Sequence, residues 1–202
     1  MSMKRLFALG MLFFLLSGQV PAAGRAVLQD YAGNGSAAGR PVAPVADSIP
    51  ADPKDVGSID GIMAALYDVI SGPAGQPRNW DRMRTLFIPE ARMIPTGKRP
   101  DGTAVRRVLS VEDYITQVGP RLEKEGFFES EIGRTMDQYG GVVQVFSSYA
   151  AKRKAEDATP FMRGINSIQL FHDGKRWWIV SIFWEAETAA NPIPEKYLKK
   201  NN

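Results

Sequence analysis

Apolar residues recur at helical spacing in Ile59, Ile62, Met63, Leu66, Val69 and Ile70. Ser58 stands in front of them and Gly72-Pro73 follows, so an amphipathic helix with a serine cap and a Gly-Pro stop is predicted. A second, shorter helix should start at Asn79, place Trp80, Met83 and Phe87 along one side, and end before Pro89. Ala91 to Ile94 and Thr103 to Leu109 read as short strands around a Gly/Pro-rich turn. Ser110-Val111-Glu112-Asp113 has the form of a capping box with Asp in the usual Glu place. A helix should follow it, with Tyr114, Ile115, Val118 and Leu122 inward. Pro120 disturbs its middle and Gly126 closes it.

Beyond Gly126 the period changes from helical to alternating. Residues 127–139 and 142–149 are strand-like and flank Gly140-Gly141. A charged loop, 152–159, leads to Phe161–Phe171 and Arg176–Glu185, which flank Asp173-Gly174, a strong hairpin signal. Helices followed by an antiparallel meander predict an α+β domain. Roughly 130 residues of this kind can bury one core.

If Asp173-Gly174 is a two-residue turn, Leu170 opposes Trp177, Ile168 opposes Ile179, Asn166 opposes Ser181, and Arg163 opposes Trp184. Both faces of that hairpin are largely apolar. Helices can cover one, and a second copy of the chain is the expected cover for the other, giving a homodimer. Along 127–139, strict alternation puts Arg134 on one face with Phe128, Ile132 and Met136. It puts Glu129, Glu131 and Asp137 on the opposite, solvated face. A charge on an apolar face needs a partner. For Arg134 that is either an internal carboxylate, with Glu185 the nearest choice, or the anionic group of a ligand. The lone histidine, His172, lies beside the turn, where solvent exposure is expected.

The first residues have a different character. Lys4 and Arg5 precede an apolar run, Leu6–Leu16, and Val20-Pro21-Ala22 has the small-x-small form of a cleavage site. The expected plan is a signal peptide over 1–22, an Ala/Gly/Pro-rich linker over 23–55, a folded domain over 56–190 and a tail over 191–202. A periplasmic or secreted location follows, with no stable membrane anchor after cleavage. The net charge of +3 falls to roughly +1 without Lys4 and Arg5. No basic stripe with interleaved aromatics is present, so no nucleic-acid partner is expected. The absence of Cys and the single His exclude disulfides, thiolate sites and multi-histidine metal centres. No phosphate loop, serine elbow or zinc signature occurs, and no cofactor is expected.

The order of elements resembles the NTF2-like superfamily, which includes ketosteroid isomerases, SnoaL-like cyclases and scytalone dehydratases. The resemblance covers about Asp55–Thr188. It is carried by the first helix, the NWDRMRTLF segment, GGVVQVFSSYAAKR and, above all, RGINSIQLFHDGKRWWIVSIFWE, which looks like an exported branch. What it implies is a cone, a curved antiparallel sheet around N-terminal helices with a pocket at the open end. The fold hosts binding modules and enzymes alike. The expected ligand is small and mostly apolar, and the candidate ligand-binding set is Arg134, Asn166, Ser181, Trp184 and Glu185. Arg134 would meet an anionic group, Asn166 and Ser181 would orient the ligand, and Trp184 would form an apolar wall. The alternatives are a cofactor-free isomerase, dehydratase or cyclase, for which Glu185, Asp137 and Tyr149 are the nearest acid–base groups, and a protein-interaction module using the outer sheet face.

Overall fold

The structure is a computed structural model that describes residues 49–99 and 101–199. The expected signal peptide and most of the linker lie outside them. Among the described residues, regular structure is present slightly before the expected boundary at 56. A short helix, α1 (Pro53–Val56), is capped by Asp52, and its buried Asp55 accepts from Arg82 Nε at 2.7 Å. Helix α2 (Ile59–Ile70) starts as predicted, with Ser58 Oγ accepting from the Gly61 amide. Helix α3 (Trp80–Leu86) is capped by Asn79. The capping box at Ser110 is present in full and opens α4 (Val111–Gln117). Pro120 has the effect its chemistry demands. The helix breaks at Val118, and a second segment, α5 (Gly119–Glu125), carries the proline at its tolerated first turn.

Arg78 ties these helices together from inside. Its guanidinium is buried and donates to the carbonyls of Ile70, Gly72, Pro73, Gln76 and Leu122. Two of those carbonyls belong to the last turns of α2 and α5, where helix geometry leaves acceptors without partners. Gly72 makes room for this, because a Cβ there would fall 2.7 Å from Arg78 Nη1.

The strands are β1 (Phe87–Lys98), β2 (Ala104–Arg106), β3 (Phe128–Tyr139), β4 (Val142–Lys152), β5 (Met162–His172) and β6 (Trp177–Ala186). They form one sheet in the order β2-β1-β6-β5-β4-β3. The architecture is α+β, with helices packed on one face of an open, bent sheet, as expected from the sequence. The sheet is mixed rather than antiparallel throughout, because β1 runs parallel to β6. Parallel neighbours need a long connection, and here α4, α5 and four strands lie between them.

Two single-residue bulges decide which side chains face inward. In β3, Glu131 pairs with Tyr149 and Gly133 with Ser148, so Ile132 is the extra residue. In β6, Ile179 pairs with Leu170 and Ser181 with Gln169, so Val180 is the extra residue. Each bulge reverses the alternation of its strand and bends it. The hairpin turn is also longer than expected. His172 opposes Trp177, and Asp173 bridges the intervening loop by accepting from the Lys175 and Arg176 amides and from Trp178 Nε1. These side-chain and backbone donors lower the Asp173 pKa to about 2.

The core lies between α2, α4 and the concave face of the sheet, with Ile62, Met63, Val145, Ile168, Leu170 and Ile179 at its centre. The outer face is covered in part by the chain's own end. The tail forms a short 3-10 helix, Glu195–Tyr197, and its Tyr197 ring packs on Phe146, with centroids 5.2 Å apart. Ser148 Oγ donates to the Tyr197 carbonyl and the Arg134 amide to the Lys199 carbonyl. Gly133 is essential to that contact, since a Cβ there would lie 2.2 Å from the Tyr197 carbonyl oxygen. A second copy is therefore not needed to cover this part of the sheet. Phe171 and Phe183 remain 44% and 49% exposed elsewhere on it.

Candidate functional site

The concave face encloses a cavity of about 420 Å³. Leu66 and Ile70 of α2, Tyr114 and Val118 from α4 and its end, Leu122 of α5, Met93 of β1 and Ile182 and Trp184 of β6 supply an apolar wall. Polar residues on its wall include Glu129, Asn166, Tyr114 and Tyr149, with Arg107, Arg121 and Arg153 beside them. A mostly apolar pocket with a few convergent polar groups is the usual form of a small-molecule site.

Glu129 is the carboxyl on the cavity wall. It sits on β3 opposite Ala151, on the same inward face as Glu131, Arg134 and Met136, because the Ile132 bulge joins the two halves of that face. Asn166 Nδ2 donates to Glu129 Oε1 at 3.3 Å. None of the ion pairs among the described residues includes Glu129. Desolvation raises its pKa to about 7, and the Asn166 hydrogen bond opposes the rise. Burial also raises the Tyr114 and Tyr149 hydroxyls, with the Glu129 charge a second cause for each. Neither hydroxyl has a hydrogen-bond partner among the described residues. Tyr149 faces the cavity because Gly164 opposes it across β5. A Cβ at Gly164 would stand 2.5 Å from the Tyr149 hydroxyl.

Of the residues expected to bind a ligand, two reach this cavity. Asn166 and Trp184 oppose each other across β5 and β6 and both line it. Ser181 does not, because the Val180 bulge turns it outward, where it donates to Gln169 Oε1 at 3.0 Å. Glu185 opposes Ile165 on the outer side and lines a groove shared with the C-terminal segment. It is not the partner of Arg134, and Arg163 meets Glu187, at 2.9 Å, rather than Trp184. Arg134 is indeed inward, but it is already engaged. It grips Glu131 through two hydrogen bonds of 2.8 Å and also holds Asp60. Those three residues lie on a separate, wider cleft beside α2, whose wall also includes Glu129. Tyr149, one of the acid–base groups named from sequence, is in the cavity, whereas Asp137 pairs with Gln144 farther along β3 and lines none of these spaces.

Sequence alternation put Glu129 and Glu131 on a solvated face, and the structure reverses this. The available signal was Gly133, since an isolated glycine in a strand marks a bulge. Tyr67 was also missed as a site residue. It sits on α2, and its hydroxyl receives a hydrogen bond from Asn166 Nδ2 at 3.2 Å and contacts Ser147 Oγ at 2.7 Å.

No family model matches the chain, and no curated protein matches it. Among solved structures it is similar to a protein with a cystatin-like fold from Nostoc punctiforme PCC 73102, at 10% identity, over 65% of this chain and 90% of that one, with a TM-score of 0.48. It is similar to an NTF-2-like protein from Silicibacter pomeroyi DSS-3 at 13% identity, over 65% and 94% of the two chains, with a TM-score of 0.44. An NTF2-like protein from Cytophaga hutchinsonii ATCC 33406 aligns over 62% and 89%, at 12% identity and a TM-score of 0.40. These are likenesses of overall shape, and the site stands on its own geometry.

Proposed function

We propose that the chain is an exported domain that binds a small, mostly apolar molecule in the cone cavity, and that Glu129 moves a proton on it without a cofactor. The observation that carries this reading is one unpaired carboxyl with a pKa near 7 on the wall of an apolar cavity. A general base works best when its pKa lies near the operating pH. The Tyr114 and Tyr149 hydroxyls supply donors for an oxygen that gains negative charge. In the reaction this arrangement suits, Glu129 takes a proton from a carbon next to a carbonyl, breaking the C–H bond. The carbonyl oxygen takes up the charge under the tyrosine donors. Where the substrate carries a β,γ C=C bond, the glutamic acid then returns the proton to the γ-carbon, and the net change is that double bond moved into conjugation with the carbonyl. Export rests on the leader pattern in Met1–Ala22. Self-association rests on the exposed Phe171 and Phe183, and sedimentation of the purified protein measures it.

The test uses cyclohexanone in D₂O as a general probe, with exchange of its α-hydrogens followed by NMR. Exchange above the buffer rate, with an inflection near pH 7 that Glu129→Gln removes, is the expected result. Exchange at the same rate with Glu129→Gln as with the native protein would sink the proposal.

A further inference from the structure

The charged side chains on the cavity wall are of two kinds. Glu129 is the acid, and Arg107, Arg121 and Arg153 are the cations. The three arginines come from separate places: the loop after β2, helix α5, and the loop after β4. They mark the solvent end of the cavity, where the Arg121 side chain is 71% exposed. Arg153 is held in position. Its guanidinium lies 4.1 Å over the Phe161 ring, and Nη1 donates to the Gly126 carbonyl at 3.3 Å. Arg121 and Arg153 share one carboxylate, Glu125, at 3.0 and 2.8 Å. Arg107 holds the neutral Gln117, and its charge reaches Asp113, which also feels Arg92. Neither Glu125 nor Asp113 lines the cavity. Among the residues that line the cavity the cations therefore outnumber the acid three to one, with Glu125, Asp113 and Asp157 just outside it.

We infer that the ligand is a mostly apolar carboxylate, with its acid group held at the entrance by Arg107, Arg121 and Arg153 and its other end at Glu129. The inference rests on the proposed use of Glu129. An anion is repelled from Glu129 and attracted to the arginines, so one orientation is selected. Arginine forks match a carboxylate in two hydrogen bonds. The excess is small because Glu125 answers two of the arginines, which favours a monoanion over a phosphate dianion.

The test is isothermal titration calorimetry of the purified protein with decanoate, 1-decanol and decyl phosphate. Decanoate should bind about tenfold more tightly than decanol, with weaker binding at high salt. The double variant Arg107→Met/Arg121→Met, with its fold checked by circular dichroism, should reduce the decanoate preference severalfold, leaving what Arg153 holds, and leave decanol unchanged. Equal binding of the two probes by the native protein, an unchanged preference in the double variant, tighter binding of decyl phosphate than of decanoate, or no binding of either decanoate or decanol overturns the inference. Glu129→Gln separates it from the functional reading. An arginine-dependent decanoate preference, with proton exchange unaffected by Glu129→Gln, keeps the anion site and removes the acid–base role. The opposite pair of results does the reverse.

Discussion

Asn166 gives its two amide hydrogens to two different partners, Glu129 in the cavity and Tyr67 behind it. The direction is fixed from outside. Glu131, ion-paired to Arg134, only accepts, so Ser147 donates to it at 2.6 Å. Tyr67 must then donate to Ser147, and Asn166 must donate to Tyr67. The Arg134–Glu131 pair thereby sets which end of the Asn166 amide faces the cavity. Arg134, expected from sequence to touch a ligand, instead orients the group that touches Glu129.

Replacing Asn166 with Leu should raise the Glu129 pKa above about 7, because the hydrogen bond that favours its charged form is removed while desolvation stays. Carbon-13 NMR of labelled glutamate across pH 4 to 10 reads the midpoint. The variant should also lose about 1–3 kcal/mol of stability, since the buried Tyr67 hydroxyl loses its donor.

Stability should fall as pH rises through the Glu129 transition. The folded pKa, about 7, lies above the ordinary value of 4.5, so between these values the folded state holds more protons than the unfolded one. This group's contribution is complete below about pH 4.5 and is lost by the time the pH passes about 7, an effect of roughly 3 kcal/mol at most. Urea unfolding at pH 5 and pH 8 should show the difference in the native protein. Glu129→Gln should show less of it.

Gly164→Ala should disturb the site through Tyr149. The added methyl would sit 2.5 Å from both the Tyr149 hydroxyl and the Glu185 carbonyl oxygen, and the latter is backbone. A loss of about 1–3 kcal/mol is expected from overpacking, read by thermal unfolding. A native melting temperature together with native exchange activity would contradict the crowding.

Arg78→Lys should be costly although it keeps the charge. A lysine ammonium has three donors on one point and does not reproduce a fork that serves five carbonyls. The expected loss is about 2 kcal/mol or more from orphaned buried carbonyls, measured by chemical denaturation.

Much of this fold can be read in the sequence because its signals are local. Ser58, Asn79 and the Ser110 box announce their helices, and Gly140-Gly141 announces its turn. What sequence alternation misplaced traces to single extra residues. Ile132 and Val180 each shift the phase of a strand, and a shift of one position exchanges the two faces. Gly133 offered a hint of the first. Val180, in an unbroken apolar run, offered none, so Ser181 and Trp184 were assigned to the wrong sides. The raised pKa of Glu129 carried no local mark, because it comes from burial by residues brought to it from other elements.

The parallel pairing of β1 with β6 has a consequence for the order of assembly. The Thr96 hydroxyl donates to the carbonyl of Trp184, a residue synthesised 88 positions later. Until that segment exists, β1 has only the three-residue β2 beside it. A nascent chain halted before Trp177 would present β1 as a bare edge, with the backbone groups that pair with β6 left open. Distant closure of this kind slows folding, so β1 gains its long neighbour, and the sheet its full width, only after the last strand has been made.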